Sequence, residues 1–345
     1  MFFGSDNTGP AHPAIMQAVV DANQNYVPSY GADPLMAEVT EKIRTIFEAP
    51  KAAVYLVATG TAANALILGT LANPWDSIYC HRVAHIEEDE CGAPEFYSGG
   101  AKMTLIDGND GKMSPDALAK SIAFSSGKDV HRCQAGPVSL SNVTELGTVY
   151  TLDEIRALTE IAKANDLPVH LDGARFANAM VTLGCSAAEM TWKSGIDAVS
   201  FGGTKNGCLG VEAVIFFDPA KAWEFELRRK RGAHLFSKHR FLSAQMNAYL
   251  TDDLWLDLAR ASNETGRYLS EGMRKFNSVE ISHTVDANMI FARMPRETHR
   301  RAQEGGAVYG INGSLDGEND EILSCRLVSD WSNTQAACDA LFKLL

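Results

Sequence analysis

Lys205 closes the stretch Asp197-Ala-Val-Ser-Phe-Gly-Gly-Thr-Lys205, an apolar run that breaks into a polar, glycine-rich turn. A lysine held where a buried strand runs out is partly desolvated. Desolvation disfavours its charged form and makes the amine a nucleophile toward carbonyls. Such lysines form Schiff bases, most often with pyridoxal phosphate. Most lysines after a strand are solvated turn residues, so the motif needs partners, and two further stretches offer them. Val169-His-Leu-Asp172-Gly-Ala-Arg175 ends a second apolar run in a carboxylate and sets an arginine three residues on. A carboxylate there can pair with a protonated pyridine nitrogen; the alternative is a helix cap with a structural ion pair. Ala58-Thr-Gly60-Thr61-Ala-Ala-Asn64 follows a third apolar run and opens a helix, where free N–H groups and the helix dipole can hold a phosphate. It is neither a P-loop nor a dinucleotide fingerprint, and a plain threonine-capped turn is the alternative.

The segment from His81 to Glu95 carries a second set of reactive side chains. If it is helical, His81, His85 and Asp89 share a face, and Cys80 and Cys91 add further metal-ligand types. The glutamate of a zinc-protease helix is missing, and no metal is expected. With a flat cofactor nearby, His85 is better used stacked on its ring, where it can also act as acid or base. The segment Leu227 to Arg240 is the one strong basic cluster. It reads as a solvated helix face or as a phosphate contact across a subunit interface. Arg326 falls on a short apolar strand, where an unpaired guanidinium is costly, so a carboxylate partner is expected from the protein or from a substrate.

These groups ride on an alternation of short apolar strands and amphipathic helices through about residue 220. The pattern predicts a mostly parallel central sheet covered by helices on both faces. Ligands bind beyond the carboxyl ends of such strands, where Gly60-Thr61, Asp172 and Lys205 all fall. Helices then dominate, followed by shorter strands and a closing helix. The expected division is a large cofactor-binding domain over 14–248 and a smaller α+β domain from 1–13 and 249–345.

The 345 residues are 46% hydrophobic and 21% charged, with a formal net charge of −12. That balance argues against nucleic acid or an anionic membrane as main partner. The N-terminal residues lack the basic and apolar regions of a signal peptide, and the run Ala52 to Ala58 is too short to span a bilayer. Seven scattered cysteines without a Cys-x-x-Cys pair suit buried thiols in a reducing, cytoplasmic setting.

In their joint order the motifs resemble those of fold-type I pyridoxal-phosphate enzymes, and more narrowly the low-specificity L-threonine aldolases of the β-eliminating-lyase group. The carriers are Ser5-Asp6-Asn7, Tyr30-Gly31, Gly60 to Asn64, Ala84-His85-Ile and Glu90 to Glu95. Thr144 to Tyr150, His170 to Arg175, Ser200 to Lys205 and Arg326-Leu-Val complete them. The resemblance implies retro-aldol cleavage of L-threonine or L-allo-threonine to glycine and an aldehyde. Lys205 would carry pyridoxal phosphate, Asp172 would pair with its ring nitrogen and Arg175 with its phenolic oxygen. Gly60 and Thr61 would hold the phosphate, and His85 would stack on the ring. Arg326 and Ser5 would bind the substrate carboxylate, with Tyr30 and Asp89 as further substrate contacts. Lys238, or failing it Arg240, would reach the phosphate of a neighbouring subunit in a homotetramer with its active site at an interface. Some members carry a second active-site histidine in an Asn-Thr-His stretch, and Asn142-Val143-Thr144 has none. Phenylserine cleavage or another lyase or aminotransferase reaction on the same fold is the alternative among enzymes. A metal- or ligand-binding domain without turnover is the alternative outside them.

Overall fold

A computed structural model describes residues 1–345 except Lys128. The chain opens with helices α1 (Pro13–Ala22) and α2 (Pro34–Ile46). Each has proline in its first turn, where the missing N–H costs nothing. Strands and helices then alternate: β1 (Ala53–Val57), α3 (Gly60–Leu71), β2 (Asp76–His81), α4 (His85–Glu88), α5 (Ala93–Ser98), β3 (Lys102–Ile106), α6 (Pro115–Ser125) and β4 (Gln134–Ser141). They continue as α7 (Leu152–Lys163), β5 (Val169–Gly173), α8 (Phe176–Leu183), α9 (Ala187–Met190), β6 (Ala198–Gly202) and β7 (Glu212–Phe216). Local chemistry fixes several boundaries. Ser114 caps α6, and Thr151 and Glu154 form a reciprocal capping box at α7.

The seven strands pair in the order β1-β7-β6-β5-β4-β2-β3. The ladders joining β3, β2, β4, β5 and β6 are parallel, while β7 runs antiparallel to both β6 and β1. Strands β5, β6 and β7 are buried at every position, as a sheet covered on both faces requires. The reversal of β7 has a local consequence. Its first residue, Glu212, sits opposite Gly202 of β6 and Val57 of β1, at the carboxyl ends of those strands.

Helix α3 has no solvent-facing side: every residue from Ala62 to Thr70 is buried, Asn64 and Thr70 included. Such a helix has to be packed on all sides. Gly69 permits this, because a Cβ there would stand 2.8 Å from the Tyr97 carbonyl oxygen on α5. Below the lysine turn, Phe201 of β6 is fully buried among Phe176, Trp255 and Phe47, with ring centroids 5.2, 5.5 and 5.7 Å away. This aromatic cluster anchors the end of β6.

The remaining elements are α10 (Ala222–Arg231), α11 (Arg240–Tyr249), α12 (Leu254–Met273), β8 (Glu280–Ile281), β9 (Met289–Pro295), α13 (Arg296–Glu304), β10 (Gly310–Asn312), β11 (Ile322–Val328) and α14 (Gln335–Phe342). Their four strands form an antiparallel sheet in the order β10-β11-β9-β8. The N-terminus returns to this sheet. The Phe3 N–H donates to the Val308 carbonyl at 2.7 Å, and the Val328 N–H donates to the Phe3 carbonyl at 2.8 Å. Phe3 is packed into the same core as Ile290, Leu327 and Leu341.

Some expectations are corrected. The helix through His81 and Asp89 does not form: His81 ends β2, and α4 starts only at His85, so the two histidines share no helical face. All seven cysteines are unpaired, but Cys91 is exposed and Cys133 and Cys185 are half-buried. Among the described residues, no helix is long and apolar enough to cross a membrane.

Candidate active site

A cavity of about 260 Å³ lies at the carboxyl ends of β1, β5 and β6. The stretches singled out in the sequence converge here: Gly60, Thr61, His85, Asp172 and Lys205 all line it, with Asn7, Asn64, Glu90, Thr204 and Glu212. Two clefts of about 600 and 720 Å³ elsewhere are larger, but neither gathers a lysine, a histidine and carboxylates.

Strand β5 delivers Asp172 to the edge of the sheet, where it is only 4% exposed. Its Oδ1 accepts the Ala174 N–H at 3.0 Å, and its Oδ2 accepts the Asn64 amide at 2.8 Å. Asn64 lies in the second turn of α3 and serves two carboxylates, since its Nδ2 also donates to Glu90 Oε1 at 2.9 Å. Its own Oδ1 accepts from the Ser200 hydroxyl on β6 at 2.7 Å. One side-chain amide therefore ties β5, β6 and the Glu90 loop to the head of α3.

Glu90 in turn holds the histidine, with His85 Nδ1 2.9 Å from its Oε1. The hydrogen bond to Glu90 raises the His85 pKa above its ordinary value, burial works against it, and the nearby Asp172 adds to the rise. Burial likewise pushes the Glu90 carboxyl up, against the His85 hydrogen bond and with the Asp172 charge. The pair therefore favours keeping a proton between its members. With Nδ1 committed, Nε2 is the ring position left for a ligand.

At the head of α3, the Thr59 hydroxyl accepts the Ala62 N–H at 3.2 Å. Among the described residues no acceptor meets the N–H groups of Gly60 and Thr61. A Cβ on Gly60 would meet nothing within 4 Å, so that side of the turn is open to a ligand. Lys205 sits in a single 3-10 turn, Thr204–Asn206. Asn206 fastens the turn from below by donating to Tyr249 Oη at 2.7 Å and to the Trp255 carbonyl at 2.8 Å. The turn ends at Gly207 with φ +97°, where a side chain would be strained and would crowd Leu258.

Arg175 does not line the cavity. Its guanidinium is paired in a two-pronged bond with Asp6, Nε to Oδ2 at 2.7 Å and Nη2 to Oδ1 at 2.9 Å, and Asn288 donates to Asp6 Oδ2 at 3.0 Å. Burial would raise the Asp6 carboxyl, but the Arg175 charge and hydrogen bond outweigh it and leave it below its ordinary value. The N-terminal strap is thereby clasped to the turn between β5 and α8.

The other expected contacts lie apart from the cavity within this chain. Ser5 Oγ accepts the Asn7 N–H at 3.1 Å, and Asn7, not Ser5, reaches the cavity. Asp89 is exposed. Tyr30 is half-exposed beneath Lys230, whose Nζ stands 4.8 Å from its ring centroid. Lys238 and Arg240 line a separate cleft of about 300 Å³ with Asn25 to Ser29. The basic cluster is largely exposed, save His239 and Arg229, the latter buried over the Tyr55 ring. Arg326 is exposed and forms no ion pair among the described residues, so of the two expected sources of a carboxylate partner the protein supplies none. The reason is that β11 is two-faced: Leu323, Cys325 and Leu327 point into the core, while Ser324 and Arg326 point out.

Sequence reasoning assigned no site role to Asn64, Glu90, Asp6 or Glu212. The first three lie inside the quoted motifs. Glu212 carried a weaker signal, a carboxylate at the head of an otherwise apolar strand. The groups present fit pyridoxal phosphate: unsatisfied N–H groups at a helix head for the phosphate, a buried carboxylate for the ring nitrogen, a flanking imidazole and a lysine. Glu90 Oε2, buried without a partner, marks the wall as unfinished in the chain alone.

Comparison with known proteins agrees with this geometry. The chain is 40% identical over 292 residues to a low specificity L-threonine aldolase of Pseudomonas aeruginosa, covering 85% of this chain and 84% of that protein. It is 39% identical over the same length to a protein of the same name from a Pseudomonas species. A threonine aldolase structure from Leishmania major superposes with a TM-score of 0.92 at 23% identity, covering 99% of this chain and 98% of the other, which establishes the shared fold. The beta-eliminating lyase family model matches residues 3–295. Matching sequence over most of its length and sharing the fold throughout, the chain belongs to the beta-eliminating lyase family.

Proposed function

We propose that this protein is a pyridoxal-phosphate enzyme that cleaves L-threonine and L-allo-threonine to glycine and acetaldehyde. The observation that carries the reading is the convergence of Lys205, Asp172, His85 and the head of α3 on one cavity, in a chain 40% identical to a low specificity L-threonine aldolase. When bound, pyridoxal phosphate supplies an electron sink for the charge that develops at Cα. The N–H groups of Gly60 and Thr61 hold its phosphate, aided by the helix dipole. Asp172, steadied by Asn64 and the Ala174 N–H, keeps a proton on the ring nitrogen. Lys205 supplies the amine for covalent attachment. His85 flanks the ring, and its Nε2 takes the proton of the substrate β-hydroxyl while Glu90 holds Nδ1. Arg175 lies outside the cavity lining, and only Nη1, which takes no part in the Asp6 bond, would be left to reach the cofactor's phenolic oxygen.

Arg326 and Ser5 bind the substrate carboxylate, with Tyr30 and Asp89 as further contacts. Lys238, or Arg240, serves the phosphate of a neighbouring subunit. The assembly is read as a homotetramer in the cytoplasm, and the placement of Lys238 and Arg240 in a cleft apart from this chain's own cavity supports a site shared between subunits. So does the exposed apolar surface beside them: Tyr26 is fully exposed, and Met16, Val20, Leu209 and Phe236 are each 40% exposed or more. The larger domain runs over 14–248, and 1–13 with 249–345 form the smaller one. The test is product analysis with threonine, allo-threonine and phenylserine in both enantiomeric forms. An aldehyde plus glycine is expected; ammonia plus a keto acid would reassign the reaction to elimination or transamination.

A further inference from the structure

Three carboxylates, Glu90, Asp172 and Glu212, line the cavity, against one lysine and one histidine. Two of them have partners: Glu90 holds His85, and Asp172 takes Asn64 and the Ala174 N–H. Glu212 has no assigned role. Because β7 runs against its neighbours, it is brought to the ligand edge with only 6% of its surface exposed. Its Oε2 accepts the Gly203 N–H at 3.1 Å, which ties it to the backbone two residues before Lys205. It forms no ion pair among the described residues, and Lys205 is the only lysine or arginine lining the same cavity. A buried carboxylate without a counter-charge is costly. We propose that Glu212 is the counter-charge of Lys205, a positioning residue that sets how firmly the lysine nitrogen keeps its proton.

The surroundings support this. Burial pushes the Glu212 carboxyl up to about 7, against the pull of the Thr204 hydroxyl, Lys205 and the Gly203 N–H, so it can exchange its proton near neutrality. The groups facing it are Thr204 and Lys205 from the lysine turn, Asp172 from β5, Cys208 from the loop before β7 and Tyr249 from α11. Burial raises the Cys208 thiol and the Tyr249 phenol well above their ordinary values, so both stay neutral in that range. The charge that Glu212 can answer is therefore that of Lys205.

The role rests on Lys205 carrying the cofactor, and the experiment separates the two. The visible band of the holoenzyme is titrated with pH in wild type, Glu212→Gln and Glu212→Asp, and borohydride sensitivity is compared with Lys205→Ala. Glutamine keeps the shape and can still accept the Gly203 N–H, but it removes the negative charge that favours a protonated lysine nitrogen. The midpoint is expected to fall by about one pH unit in Glu212→Gln, and Glu212→Asp is expected to recover most of the shift. An unmoved or raised midpoint in Glu212→Gln, with Lys205→Ala lacking the borohydride-sensitive band, overturns the role of Glu212 alone. A Lys205→Ala protein that keeps that band overturns the attachment at Lys205 and the counter-charge role with it.

Discussion

Replacing Asp6 with asparagine should loosen the protein far more than its place near the N-terminus suggests. The Asp6 side chain is 1% exposed and that of Arg175 is 7% exposed, and two hydrogen bonds of 2.7 and 2.9 Å join them. Asparagine keeps the shape but turns one oxygen into an N–H donor facing the guanidinium and removes the charge. Breaking one side of a buried pair in this way costs about 3–5 kcal/mol, because the remaining charge stays buried and unanswered. Against a total stability on the order of 5–15 kcal/mol, that loss is readily measured. Urea unfolding at pH 7 gives the difference, and its pH dependence gives a second check. The folded-state carboxyl titrates below its ordinary value. The stabilisation it contributes is thus fully present above the unfolded pKa, about 3.9, and is lost as pH falls through the folded one. The gap between wild type and Asp6→Asn should therefore shrink below about pH 4. A variant within about 1 kcal/mol of wild type at pH 7, or a gap that widens on acidification, would refute the clasp.

Further outcomes follow from the same geometry. His85→Asn should lower kcat about 10²–10⁴-fold. Glu90→Gln should lower it less while moving the histidine limb of the pH–rate profile to lower pH, since the bond to Glu90 is what raises that group; an unmoved limb would count against the pair. Gly60→Pro should fold normally, because Thr59 before it is already extended (φ −142°, ψ 150°) and a Cβ at Gly60 meets open space. Its lost N–H should weaken cofactor binding about tenfold or more, as read by absorbance titration of the apoprotein, and unchanged affinity would move the phosphate away from the head of α3.

The elements that carry the site were legible because each is written in local chemistry. Pro115 after Ser114, the Thr151 to Glu154 capping box and the apolar run Ala53–Val57 mark their boundaries without help from the rest of the chain. Asp172, Lys205 and Gly60 were legible because each stands where an apolar run ends. What escaped depends on direction and on distant partners. An apolar strand reads the same in either sense, so the reversal of β7 and the arrival of Glu212 at the site leave no mark in the sequence. The Asp6–Arg175 pair spans 169 residues. The apolar residues that flank Arg326 suggest a buried strand, yet in β11 those neighbours face the opposite side from it.

Borohydride reduction of the holoenzyme, followed by peptide mass analysis, tests the account at its centre. The reduced cofactor should be found on Lys205, and Lys205→Ala should bind it without a reducible visible band and release no glycine from threonine. A cofactor label on another lysine, or glycine release by Lys205→Ala at the wild-type rate, would contradict the account.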